Sequence, residues 1–197
     1  MNAFAQIGIL TLQTIGGLYL LAVVLRFLLQ AARADFYNPL SQAIAKITTP
    51  VLMPLRRLIP GLFGLDLACV VLAIAVQYLT VTLSCLLVGI FNPLIVLLWS
   101  LIGIASMVVY IYLICMIVMI ILSWVAPYTR HPAAVLCVQL VRPLCAPIQR
   151  FIPSLGGLDI SPIFVFLLLN AARVLINSAA ASTGLMGGAS MLVPGMF

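Results

Sequence analysis

From residue 67 to residue 129 the chain carries no Asp, Glu, Lys, Arg or His. Drawn as one helix, that run would be about 95 Å long, roughly three times the hydrocarbon thickness of a bilayer. It therefore has to turn back on itself. The one strong breaker inside it is Gly89-Ile90-Phe91-Asn92-Pro93. Proline disfavours helical geometry at the residue before it, and Gly and Asn suit a turn. The sequence predicts membrane helices over about 67–88 and 94–125 on the two sides of this break. Residues 7–25 are also free of charge, which places another helix over about 5–31. A fourth starts near Ser161 and runs to about residue 182, followed by a Gly- and Met-rich tail, 183–197, read as irregular. Only 6% of the 197 residues are charged and 65% are hydrophobic. Soluble domains average about 25% charged residues, so lipid is the solvent for most of this surface. The N-terminus has no basic side chain before the first apolar stretch, which is therefore read as retained rather than as a signal peptide.

The net charge of +6 is not a nucleic-acid signature, because no dense Lys/Arg run exists. Arg33, Lys46, Arg56 and Arg57 lie between the first and second membrane helices. Arg130, Arg142 and Arg150 lie between the third and fourth, and the termini and the Gly89–Pro93 turn have none. The positive-inside rule then makes both long connections cytoplasmic and both termini external.

Shifting the chain on itself so that Pro39 falls on Pro132 also lays Pro50 on Pro143, Pro54 on Pro147 and Pro60 on Pro153. Arg57 meets Arg150, and Gly64-Leu65-Asp66 meets Gly157-Leu158-Asp159, without a gap. The chain is thus expected to hold two parallel repeats, 1–92 and 93–182. The expected fold class is an all-α membrane protein with four transmembrane helices as two parallel repeats, each with a proline-broken amphipathic cytoplasmic segment (38–60 and 132–153). In these segments Leu40, Ile44, Ile47, Val51, Leu55 and Leu58, and again Leu136, Leu140, Leu144 and Ile148, recur at steps of three and four. That is the pattern of an interfacial amphipathic helix, here expected to be cut into short pieces by its prolines. Its basic side would meet anionic lipid headgroups, each charge worth about 1 kcal/mol.

Asp66 and Asp159 each stand just before an apolar run, where a carboxylate can cap a helix N-terminus. Arg57 and Arg150 precede them at equal spacing, which suggests one interfacial ion pair per repeat, with lipid phosphate as the rival partner for the arginines. Within the membrane, Gln77, Thr80 and Ser84 form one stripe at helical spacing. Their counterparts in the second repeat are Asn170, Arg173 and Asn177. An arginine near the bilayer midplane costs at least about 2.5 kcal/mol and should face the bundle interior or water. The stripes are either interhelical hydrogen-bonding groups or the lining of a polar path between the halves. Arg26, near the end of the first helix, is expected to snorkel.

The residues Asn38-Pro39-Leu40, Thr48-Thr49-Pro50, Pro54-Leu55-Arg56-Arg57-Leu58-Ile59-Pro60 and Gly64-Leu65-Asp66 resemble the YggT family of bacterial membrane proteins, whose plastid relatives are called YlmG. So do Pro143, Pro147, Arg150, Ile152-Pro153, Gly156-Gly157-Leu158-Asp159 and Ser161-Pro162. Phe63 and Cys69 depart from the pattern set by the second repeat. The resemblance covers nearly the whole chain. It implies a multi-pass bacterial inner-membrane protein linked to osmotic-stress tolerance, to cell-division or nucleoid organisation, or to cytochrome maturation, and it supplies no catalytic residue.

No Asp, Glu or His lies in a predicted span, which argues against a carboxylate proton relay. His131 is the only histidine, so haem held by two axial histidines cannot form within one chain. No P-loop, GxSxG, HExxH or dinucleotide fingerprint occurs. Cys69, Cys85, Cys115, Cys137 and Cys145 form no C-x-x-C pair and read as small apolar residues. The expectation is a non-enzymatic protein without cofactor or metal, contacting anionic lipids, envelope or division proteins, or further copies of itself. The function classes are a membrane scaffold or assembly factor, a small-solute or ion permeation protein, and a cofactor maturation factor.

Overall fold

The computed structural model describes residues 3–59, 61, 65–89, 91–126, 129, 131–151 (without the side chain of Phe151), 161–185, 190 and 192–196. Six helices occur in these residues: α1 (Ala3–Ala31), α2 (Pro39–Leu58), α3 (Leu67–Val88), α4 (Pro93–Val125), α5 (Pro132–Phe151) and α6 (Ser161–Ser182). Pro60, Pro153 and Asp159, singled out by the sequence, lie outside the described residues.

The helix ends follow from local chemistry. Asn38 and Asn92 each place a side-chain oxygen where the N–H of the second helical residue donates to it, and each is followed by a proline at the first position of its helix. His131 stands in the same relation to α5, its Nδ1 accepting from the N–H of Ala133 at 3.3 Å. Gly89 closes α3 at φ 80°, a left-handed conformation that glycine adopts without a Cβ clash.

The amphipathic segments are not cut into pieces. α2 is one helix of 20 residues running through Pro50 and Pro54, and α5 is one helix of 20 residues running through Pro143 and Pro147. A proline leaves the carbonyl four residues earlier without its usual donor. All four prolines lie on exposed faces, where water or headgroups can satisfy those carbonyls.

Five of the six helices are long and apolar enough to cross a membrane: α1, α3, α4, α6 and, unexpectedly, α5 over Pro132–Arg150. α5 passes where α2 does not because the positions matching Gln42, Lys46 and Arg56 hold Val135, Gln139 and Gln149. The chain is a multi-pass membrane protein by this measure, and its outer faces agree. Leu10, Leu18, Leu167, Leu168 and Leu175 are all exposed.

α1 packs along α3, and α4 touches α3, α5 and α6. At the basic end the core joins Leu20, Val23 and Leu28 of α1 to Leu72, Met116, Leu136, Leu140 and Val141. At the other end Ile9, Val81, Val96 and Trp99 pack with Leu185, Leu192 and Val193. The described part of the tail therefore belongs to the core. Gln77 donates through Nε2 to the Pro194 carbonyl at 2.9 Å, and Trp99 Nε1 to that of Thr183 at 3.3 Å. α2 and α5 are tied together at their starts: the Asp35 N–H donates to Gln139 Oε1 at 3.0 Å, and Asn38 Nδ2 to the Pro132 carbonyl at 2.9 Å.

Candidate functional site at the basic end

Asp66 sits between α2 and α3 and is only 6% exposed. A buried carboxylate needs a cation or several donors to stay charged. The cation is Arg56, whose Nε donates to Oδ2 at 2.9 Å while Nη2 approaches the same oxygen. The Cys69 thiol donates to that oxygen at 3.3 Å. Burial alone would push the Asp66 carboxyl up. The hydrogen bonds from Arg56 and Cys69, together with the Arg56 charge, outweigh it and hold the group below its ordinary range.

Two expectations change here. The partner is Arg56 rather than Arg57, because neighbouring helical residues point about 100° apart and only Arg56 is turned toward α3. Arg57 lies exposed. Asp66 stands at the N-cap of α3 as expected, but it meets the first turn through the Cys69 thiol rather than through a capping bond to a backbone N–H. The position matching Arg56 in the second half is Gln149, and the pair expected there, Arg150 with Asp159, involves a residue outside the described ones. Arg150 is exposed at the end of α5.

The Arg26 guanidinium, expected to snorkel, reaches α2. Through Nη1 it donates to the Ala45 carbonyl at 3.0 Å, Thr48 Oγ1 at 2.6 Å and Thr49 Oγ1 at 2.9 Å. An arginine on α1 thus fastens α2 to the bundle, and Thr48 is fully buried against it. The positions matching Arg26 and Thr48 in the second half are Met119 and Val141.

The two intramembrane stripes are not brought together. Gln77, Thr80 and Ser84 are buried. Thr80 and Ser84 donate to carbonyls of their own helix, at Val76 and Thr80. Gly16 of α1 lies so close that a Cβ there would collide with the Thr80 side chain. Gly103 of α4 is likewise filled by Gln77 and Val193. On α6, Asn170 donates to the Phe166 carbonyl at 2.9 Å, Arg173 is partly exposed and Asn177 is exposed.

Among the described residues no group of three His, Cys, Asp or Glu could hold a metal ion. The cysteines are all free thiols.

Sequence reasoning passed over Ser41 and gave Arg33 no role beyond orientation, yet both line a crevice with Arg26 and Arg56. The available signal was the internal alignment, which puts Ala126 opposite Arg33 and Ala134 opposite Ser41.

The family model described as CCB3/YggT matches the chain twice, over residues 5–87 and 98–180. The two matches are offset by the same shift that lays Pro39 on Pro132. An uncharacterised protein of Pseudomonas aeruginosa is 49% identical over 185 residues, covering 90% of this chain and 92% of its own length. A protein of Vibrio alginolyticus named for the region 3′ of proC is 41% identical over 172 residues, 84% of this chain and 91% of its own. The uncharacterised protein YggT of Escherichia coli is 34% identical over 186 residues, 94% and 95% of the two chains. No solved structure matches the chain.

Proposed function

The chain belongs to the CCB3/YggT family, and from that premise we propose that it is a non-enzymatic membrane scaffold or assembly factor of the bacterial inner membrane. In this reading four helices span, both termini face the periplasm, and α2 and α5 lie on the cytoplasmic surface. The observation that carries it is the concentration of specific polar contacts at one end. Arg26 fastens α2 to α1, Arg56 fastens it to Asp66, and Asp35 and Asn38 tie the start of α2 to α5. These contacts hold two amphipathic helices as one platform, with Lys46, Arg57, Arg142 and Arg150 exposed upon it. Such a platform suits anionic lipid and acidic surfaces of envelope or division proteins.

Replacing Lys46, Arg57, Arg142 and Arg150 together by Gln tests this. The wild type should migrate on native gels of gently solubilised membranes as part of a larger assembly, and the variant as the chain alone. Identical migration of both would end the scaffold reading.

A second reading, small-solute or ion permeation supporting osmotic homeostasis, has one observation in its favour. Asn170, Arg173 and Asn177 run along α6, whose outer face is largely uncovered. A further copy of the chain could close a polar path against that face. Proteoliposome flux lost in Arg173→Leu would favour it. Flux no higher than in empty liposomes would remove it.

A further inference from the structure

We propose that the crevice between the end of α1 and α2 is a binding site for a phosphate group, held by Arg26, Arg33, Arg56 and the Ser41 hydroxyl. Its volume is about 430 Å³, within the usual range for small-ligand sites. Three guanidinium groups line it. Among the described residues the one carboxylate bonded to any of them is Asp66, on Arg56. Guanidinium groups match phosphate oxygens in charge and in planar two-point geometry.

Three further observations point to an anion there. Ser41 is 7% exposed, and its Oγ has no hydrogen-bond partner. A buried hydroxyl left so is unfavourable, and an acceptor in the crevice would satisfy it. Arg33 adopts φ 51°, the left-handed position of a motif closing α1, with its N–H on Gln30 O and that of Ala34 on Leu29 O. Glycine is usual at that position, because a Cβ there crowds the following carbonyl. Here an arginine occupies it and borders the cavity.

The third observation is internal to the chain. A crevice of about 400 Å³ lies between α4 and α5. Under the alignment that lays Pro39 on Pro132, it is the counterpart of the first, and Met119, Ala126 and Ala134 line it where the first has Arg26, Arg33 and Ser41. The helix arrangement thus forms such a crevice without any of these polar groups. The polar set in the first half is not a requirement of the fold. Phe36, 63% exposed, stands at the rim, as aromatic residues do at headgroup level.

The site deepens the scaffold reading, on whose membrane placement it rests, but its test is binding to the isolated protein and not assembly. The full chain, purified in neutral detergent, is titrated with short-chain phosphatidylglycerol, with short-chain phosphatidylcholine and with inorganic phosphate. The titrations are repeated for Arg33→Gly and Ser41→Ala. Phosphatidylglycerol should bind with affinity that falls as salt rises, and each variant should weaken it by about tenfold, one charge-assisted hydrogen bond's worth. Arg33→Gly removes the left-handed strain, so its melting temperature should hold or rise and loss of fold cannot explain lost binding.

Displacement of the lipid by inorganic phosphate supports the site with a headgroup as its source. Inorganic phosphate binding that Arg33→Gly abolishes, without lipid binding, supports it with a free anion as its source. Wild-type affinity in both variants, equal binding of phosphatidylcholine, or no binding of either phosphate source overturns it. Intact binding in a chain that never joins a larger assembly would overturn only the scaffold reading.

Discussion

A carboxylate as covered as Asp66 stays charged because Arg56 and the Cys69 thiol share one of its oxygens. Asp66→Asn should destabilise the solubilised protein by about 1.5–3 kcal/mol, the range for a hydrogen bond to a charged group. Arg57→Ala should change stability by less than about 0.5 kcal/mol, as exposed charges usually do. Thermal melts of both variants check this, and equal effects would contradict the geometry. The pH dependence has a definite sign. The folded Asp66 carboxyl titrates below its ordinary value, so its contribution is complete above about pH 4 and is lost as pH falls through the depressed folded value. Melts between neutral and strongly acidic pH should show that loss in the wild type and lack it in Asp66→Asn. That an acid–base pair joins α2 to α3 was legible from the spacing of the Arg-Arg pair and the Gly-Leu-Asp motif. Which arginine takes part was not, because the choice depends on how α2 is rotated against α3.

Helix contacts in lipid gain little from the hydrophobic effect and depend on close packing and hydrogen bonds. Gly16 against Thr80, and Gly103 against Gln77 and Val193, are such close approaches. Gly16→Val and Gly103→Val should each cost about 1–3 kcal/mol through overpacking, read as earlier unfolding in a denaturing-detergent titration. The prolines in α2 behave differently, since Pro50 and Pro54 interrupt a helix that forms around them. Replacing both by Ala should restore backbone donors and raise the melting temperature without altering helix content by circular dichroism. A large loss of helicity would mean that the prolines shape α2 in a way an unbroken helix cannot. The existence and ends of the helices were legible because charge-free runs, Asn-Pro starts and the Gly89 turn are local signals. The survival of α2 and α5 as single helices was not, since it depends on the proline faces being exposed.

Five apolar helices leave two ways to thread the chain. If α5 lies at the interface beside α2, four spans put both termini on one side. If α5 crosses, the termini lie on opposite sides. The hydrogen bonds joining α5 to the start of α2 favour the first arrangement. Single cysteines at Ala5 and Met196, in a background with the native cysteines replaced by Ala, should therefore both react with an impermeant maleimide from the periplasmic face. Reaction from opposite faces would make α5 a span.

Charge-free runs, the Gly89–Pro93 break and the agreement of two halves determined from sequence alone that this is a helical membrane protein turning back on itself. These follow from hydropathy and chain length, which act locally and need no neighbours. The tertiary structure decided that Arg26 serves α2, that Asp66 selects Arg56, and that the tail packs over Gln77. It also placed one half's stripe inside and the other's along an open helix. Each of these depends on the rotation and neighbours of a helix. An alternation of polar and apolar residues leaves that rotation open in a bundle whose outer surface is as apolar as its core.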